Sequence, residues 1–195
     1  MQENLAELMS SRICHDLISP VGAIGNGLEL MGALSGPTPE LELIGQSAHT
    51  AEAKLKFFRV AFGASGDSLI SGTESQRIAA EMFATGRFKV EFSEGWGDRQ
   101  RGLVKLFYLL LLCVETSLPK GGVVTCSPTI SGWRIEAKDT PVGAVQNQWA
   151  PLLSGGKVET ITAKTIQFAL AQESLQTRSI KLKSEITPEG LFLSF

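Results

Sequence analysis

The sequence predicts an α+β protein: a helical hairpin over residues 1–64, then an α/β sandwich over residues 65–195. Three observations carry this reading. Residues 2–34 and 41–62 hold apolar side chains at helical spacing, each with one apolar stripe. Between them Ser35-Gly36-Pro37-Thr38-Pro39 sets two prolines and a glycine, which end one helix before the next begins. After Gly63-Ala64-Ser65-Gly66 the pattern changes to short alternating runs mixed with helical ones, as in a sheet covered by helices on one face.

The first helix is expected over residues 2–34. The second carries Leu41, Ile44, Ala48, Ala51, Leu55, Phe58 and Phe62 spaced alternately by three and four, the seam of an antiparallel hairpin. Two helices cover only part of each other's stripe, so the rest needs a further surface. A second copy completing a four-helix bundle with twofold symmetry supplies it economically; the alternative is a C-terminal half folded back over the hairpin. Farther on, residues 73–85 read as a helix with Ile78, Met82 and Phe83 inward, and Phe88-Lys89-Val90-Glu91-Phe92 alternates as a strand. Residues 101–118 are apolar almost all round, so that helix is expected to pack on more than one side. Strands 123–127 and 133–137 form a hairpin, helices follow at 144–153 and 161–176, and strands 180–186 and 191–195 close the chain around Thr187-Pro188-Glu189-Gly190. Trp96, Trp133 and Trp149 share no motif and read as packing or interface residues.

Composition excludes several classes. The 195 residues are 43% apolar with a formal charge of -2, and no run of Lys and Arg offers a footprint for nucleic acid or an anionic membrane. Protein partners are therefore expected. Cys14, Cys113 and Cys126 lack metal-ligand spacing and read as buried thiols of a reducing compartment. The longest apolar run, residues 106–114, is well short of the roughly 20 residues that span a bilayer, so no membrane partner is expected and the cytoplasm is the expected location.

One stretch stands out, Ser11-Arg12-Ile13-Cys14-His15-Asp16-Leu17-Ile18-Ser19-Pro20. Advancing about 100° per residue from Ile13 gathers Leu17, Ile24, Leu28 and Met31 on one stripe, with Arg12, His15, Ser19, Gly22 and Asn26 on the opposite side. His15 is thus expected to face water. An exposed neutral imidazole, with an unperturbed pKa of about 6.5, is a competent nucleophile, and Asp16 is placed to orient the ring or accept its proton. Pro20 is expected to bend the helix one turn later. His49 sits beside a core position and reads as surface structure. A hydrolase built on Cys14 and His15 is set aside, because adjacent helical residues point about 100° apart and make a poor nucleophile–base pair.

The order His15-Asp16-x-x-x-Pro20, on the first of two helices before an α/β half, resembles the histidine-kinase core, a dimerisation and phosphotransfer bundle followed by an ATPase-like domain of the Bergerat type. In active members the helix before a turn like Leu118-Pro119-Lys120-Gly121-Gly122 carries an asparagine that holds the metal on the triphosphate; Cys113 stands there here. An Asp-x-Gly-x-Gly loop follows in the family, and here Asp139-Thr140-Pro141-Val142-Gly143 has proline at the first glycine. The second glycine-rich loop is not recognisable; Ser154-Gly155-Gly156-Lys157 reads as an ordinary loop. Phosphate cradling needs free backbone N–H groups and a metal ligand, so the ATPase-like domain is expected to be degenerate. The whole combination, and Ser11 to Leu30 in particular, resembles the ChpT-type histidine phosphotransferases of alphaproteobacterial phosphorelays.

That resemblance implies a homodimer that accepts a phosphoryl group on His15 from the receiver domain of a hybrid histidine kinase and passes it to response regulators, in families that act in cell-cycle control. It implies no cofactor in this chain, Mg²⁺ coming with the partner receiver. Asp16 and Arg12 would then act beside His15, Arg12 either neutralising phosphoryl oxygens or pairing with Asp16. Ser19, Gly22 and Asn26 would meet the partner. The competing readings are an ATP-dependent sensor histidine kinase with a divergent pocket, and a structural or anti-kinase dimerisation module in which His15 is incidental.

Overall fold

The computed structural model describes residues 5–36, 38–143, 146–156 and 161–195. The expected helix start at Gln2, together with Ala144 and Lys157, lies outside these. By compactness the chain divides into two units, Met1–Ser65 and Gly66–Phe195.

The first unit is a hairpin of α1 (Leu5–Ser35) and α2 (Pro39–Ala61). Thr38 caps α2, its Oγ1 accepting from the Leu41 N–H at 3.3 Å, and Pro39 takes the first helical position, where a missing N–H costs nothing. α1 runs unbroken through Pro20. Its least exposed positions are Cys14, with Ser11, Ile18, Val21, Gly25 and Leu28 half-buried. This corrects the expected core stripe: Ile13, Leu17, Ile24 and Met31 are exposed, between 45% and 54%. The seam lies about 100° round the helix from them, because small residues such as Cys14 and Gly25 admit a neighbouring helix without adding to the hydrophobic pattern. In α2 the buried residues are Ala53, Phe57, Val60 and Ala61, whereas the expected seam residue Ile44 is exposed. A Cβ on Gly63 would stand 2.2 Å from the Arg59 carbonyl oxygen and 2.8 Å from Ser11 Oγ. Only glycine fits there, and the next N–H, that of Ala64, donates to Ser11 Oγ at 3.1 Å.

α1 is more apolar than its longest unbroken apolar run suggests. By length and composition alone Ala6–Leu34 could cross a bilayer, an 18-residue window within it reaching a mean hydropathy of 1.3. A search for one continuous apolar run misses this, since Arg12 and Asp16 interrupt it.

The second unit holds β1 (Leu69–Ile70), α3 (Gly72–Met82), β2 (Phe88–Phe92), β3 (Arg99–Gln100), α4 (Arg101–Ser117), β4 (Gly122–Pro128), β5 (Trp133–Ala137), α5 (Gln146–Ser154), α6 (Ile166–Thr177), β6 (Lys183–Thr187) and β7 (Gly190–Ser194). Five strands form a sheet in the order β2-β4-β5-β7-β6; β2 runs parallel to β4 and the other pairs are antiparallel. The parallel pair needs a crossover, and α4 lies within it. β1 and β3, two residues each, pair separately. The expected α/β sandwich is therefore present. Helix α6 begins at Ile166, later than expected, because Thr162 and Thr165 hydrogen-bond to each other in the turn before it.

The core is α4. Val104 and every residue from Leu106 to Leu111 are fully buried, as expected for a helix apolar all round. Phe107 lies 4.8 Å from Trp133 of β5, which sets α4 on the inner face of the sheet. Tyr108, also fully buried, donates its hydroxyl to the Ser75 carbonyl of α3 at 2.7 Å, and burial pushes its pKa far up. Replacing Tyr108 by Phe removes this buried hydrogen bond and should cost about 0.5–1.5 kcal/mol of stability, read by denaturant unfolding.

Candidate functional site

His15 sits where α1 presents three consecutive residues in three directions. Ile13 is half-exposed, Cys14 is 5% exposed in the seam, and the His15 side chain is 75% exposed. Its exposure agrees with the sequence reading. Nδ1 lies 3.0 Å from Asp16 Oδ1, and Arg12 Nε donates to Asp16 Oδ2 at 2.6 Å across one helical turn. A carboxylate only accepts hydrogen bonds, so Nδ1 of the neutral ring carries the proton and Nε2 keeps its lone pair. The hydrogen bond from His15, then that from Arg12, holds the Asp16 carboxyl below the usual carboxylate range. Of the two expected roles for Arg12, the structure shows the pair with Asp16. Cys14 is no rival nucleophile, since burial raises its thiol pKa and keeps it from water.

Ser19 and Asn26 are exposed and Gly22 is half-buried. Gly22 and Asn26 line a groove of 450 Å³ between α1 and α2, with Glu29, Glu42, Gln46 and His49. Cβ atoms on Gly22, Gly25 and Gly45 would meet nothing, so the groove exists because these positions have no side chains. His49 therefore borders a concave surface, which its isolated position in the sequence did not reveal. Asn26 lies eleven residues beyond His15, about 16 Å along the helix axis.

In the second unit the two stretches compared with a nucleotide pocket come together. The Gly143 N–H donates to the Ser117 carbonyl at 2.8 Å, and Gly143 lies against Pro119. Around them the backbone is already committed: the N–H of Thr140 donates to Glu189 O at 2.9 Å and that of Val142 to Pro188 O at 3.1 Å. Pro141 has no N–H. Cys113 is fully buried and burial pushes its thiol well up, so it offers neither an oxygen nor a thiolate to a cation. Among the described residues no group of three His, Cys, Asp or Glu side chains is placed to hold a metal. Gly155, at φ 73°, ends α5 as an ordinary left-handed cap.

The comparisons with known proteins agree with this architecture. Protein phosphotransferase ChpT of Brucella abortus (strain 2308) is 37% identical over 139 residues, 70% of this chain and 63% of the relative, so the match leaves over a third of that protein uncovered. A solved structure described as a bacterial phosphotransferase superposes with a TM-score of 0.67 at 28% identity, covering 94% of this chain and 91% of the other. The histidine kinase domain of the Erythrobacter litoralis EL346 blue-light activated kinase matches at 13% identity and a TM-score of 0.47. The family model for the histidine phosphotransferase C-terminal domain matches residues 72–190, more than half of the chain, and the chain belongs to that family.

Proposed function

We propose that the chain is a phosphoryl carrier of a phosphorelay. His15 takes a phosphoryl group from the receiver domain of a hybrid histidine kinase and hands it to response regulators, without binding ATP and without a cofactor of its own. The observation that carries this is the exposed imidazole whose Nδ1 is tied to Asp16, leaving Nε2 as the free nucleophile.

In the forward step the Nε2 lone pair attacks phosphorus of a receiver aspartyl phosphate. The N–P bond forms, the P–O bond to the aspartate breaks, and that aspartate leaves as a carboxylate. The imidazole gains positive charge as the bond forms, and Asp16 stabilises it through the Nδ1–H bond. Discharge to a regulator aspartate runs the same exchange in reverse. The chain's contribution is to hold the nucleophile in line, with Ser19, Gly22 and Asn26 meeting the partner along the groove; Mg²⁺ belongs to the receiver. ATP exclusion is supported by Cys113, Pro141 and the committed N–H groups of residues 140–143.

The working unit in this reading is a cytoplasmic homodimer. Ile13, Leu17, Ile24 and Met31 present an apolar stripe, with Leu43 and Ile44 exposed on α2, and a second hairpin burying these side chains completes a four-helix bundle. This also accounts for the apolar character of α1 without a membrane.

The test is phosphotransfer from a phosphorylated receiver. Label should reach the wild type and not His15→Ala, while ATP alone labels neither; labelling of the wild type by ATP would return the kinase reading. Asp16→Ala, which removes the acceptor from the ring, should slow transfer roughly 10- to 100-fold. Ile24→Asp should convert the dimer to a monomer in sedimentation analysis.

The hold on the ring has a pH signature. Because the Asp16 carboxyl is depressed on folding, its stabilising contribution is complete above the ordinary Asp pKa of about 3.9 and disappears as pH falls through the lower folded value. The tie therefore persists at neutral pH, where ¹⁵N NMR should show the Nδ1–H tautomer in the wild type and its loss in Asp16→Ala. In carboxyl titrations followed by ¹³C NMR, Arg12→Ala should raise the Asp16 midpoint, and His15→Ala should raise it further.

A further inference from the structure

The last turn of α4 is met by an aromatic ring from the chain itself. Trp149 of α5 is 2% exposed, and its Nε1–H donates to Ser117 Oγ at 2.8 Å. Ser117 Oγ is oriented by its own bond to the Cys113 carbonyl, 2.8 Å, and Phe168 of α6 meets the indole edge-on at 5.2 Å and 87°. Apolar walls with one oriented acceptor are the make-up of a small-molecule ring site. The same Ser117 also takes the Gly143 N–H on its carbonyl, so the ring lies where residues 139–143 join the end of α4.

Helix α5 is a slight element to occupy such a place. Among residues 147–154 only Trp149 and Leu152 are buried, and the helix contains Pro151. Its end is tied down from α6 by Gln172 Nε2, which donates to the carbonyls of Pro151 and Gly156. The fit beside the ring is incomplete: Gln148 Oε1 is buried with no donor among the described residues. A buried amide oxygen without a donor is uncommon in a segment that serves only as core.

We infer that the end of α4 is an aromatic-ring site which the protein fills with the Trp149 indole, α5 acting as a plug, and that with this ring removed it takes a free planar heteroaromatic bearing a ring N–H. The inference goes beyond the carrier reading and rests on it only where it explains why no nucleotide base has room. Nucleotide exclusion then has two layers, lost ligands and an occupied site, and restoring asparagine at Cys113 and glycine at Pro141 does not lift the second.

The test uses the full chain carrying Trp149→Ala, with indole as the probe and indene as its isostere without the N–H. The variant should lose thermal stability on the order of 10 °C. Indole should then bind saturably in calorimetry and restore part of that loss, while the wild type binds none. Indene should bind about three- to tenfold more weakly, and adding Ser117→Ala should abolish the difference. A folded variant that binds no indole, a preference indifferent to Ser117, or uptake by the wild type overturns the inference. If Trp149→Ala does not fold alone, indole present during refolding should restore the native circular dichroism, and no recovery overturns it. These outcomes concern binding in the second unit; failure of the carrier reading shows separately, as ATP-dependent labelling of His15.

Discussion

A helix that is apolar on every side has to be covered on every side, and α4 imposes that constraint on the second unit. The sheet approaches through Trp133, α3 receives the Tyr108 hydroxyl, and α5 brings Trp149 to the last turn. Each fully buried large apolar side chain contributes roughly 1.5–3 kcal/mol, so these contacts outweigh any single polar arrangement at the rim. The loop at residues 139–143 lies against the same end, with its N–H groups spent on carbonyls of the protein. The end of α4 and this loop are thus held by contacts made within the second unit.

α1 obeys the opposite condition, since much of its apolar surface has no cover in the described chain. Ile13, Cys14 and His15 follow one another at about 100° steps and so define three faces. The seam toward α2 takes Cys14, the apolar stripe continues from Ile13 through Leu17, Ile24 and Met31, and the third face carries the imidazole. A bundle partner on the Ile13 stripe leaves His15 open. Arg12 belongs to the third face as well, yet it is held by Asp16 at 2.6 Å, so the carboxylate beside the imidazole is paired with a cation one turn back.

How legible this was in the sequence depended on the kind of signal. Residues 88–92 alternate without exception and form the strand expected; the all-apolar run at 106–114 is the buried helix expected. Glycines and prolines marked the ends of α2 and the β6–β7 turn well. The seam of α1 was misread because the hydrophobic pattern reports the widest apolar stripe, whichever surface covers it, and here small residues line the contact within the hairpin. β1 and β3 are two residues long and carry no period. At the site, His15, Asp16 and Arg12 could be placed from helical phase alone, being within four residues of one another. The groove with His49 joins residues of two helices and the meeting of Trp149 with Ser117 joins two more, and only tertiary structure brings them together.

If His15 carries a phosphoryl group as proposed, it must both receive and release it, which argues for the bareness of the His15 face. A side chain clamped by its own cations would hold the phosphoryl group in the ground state as firmly as in the transition state, and such uniform binding slows discharge without speeding transfer. Here the nearby guanidinium is engaged with Asp16, and the carboxylate acts on the ring rather than on the phosphoryl oxygens. In the proposed relay, charge stabilisation arrives with each receiver and departs with it, so one imidazole serves donor and acceptor alike.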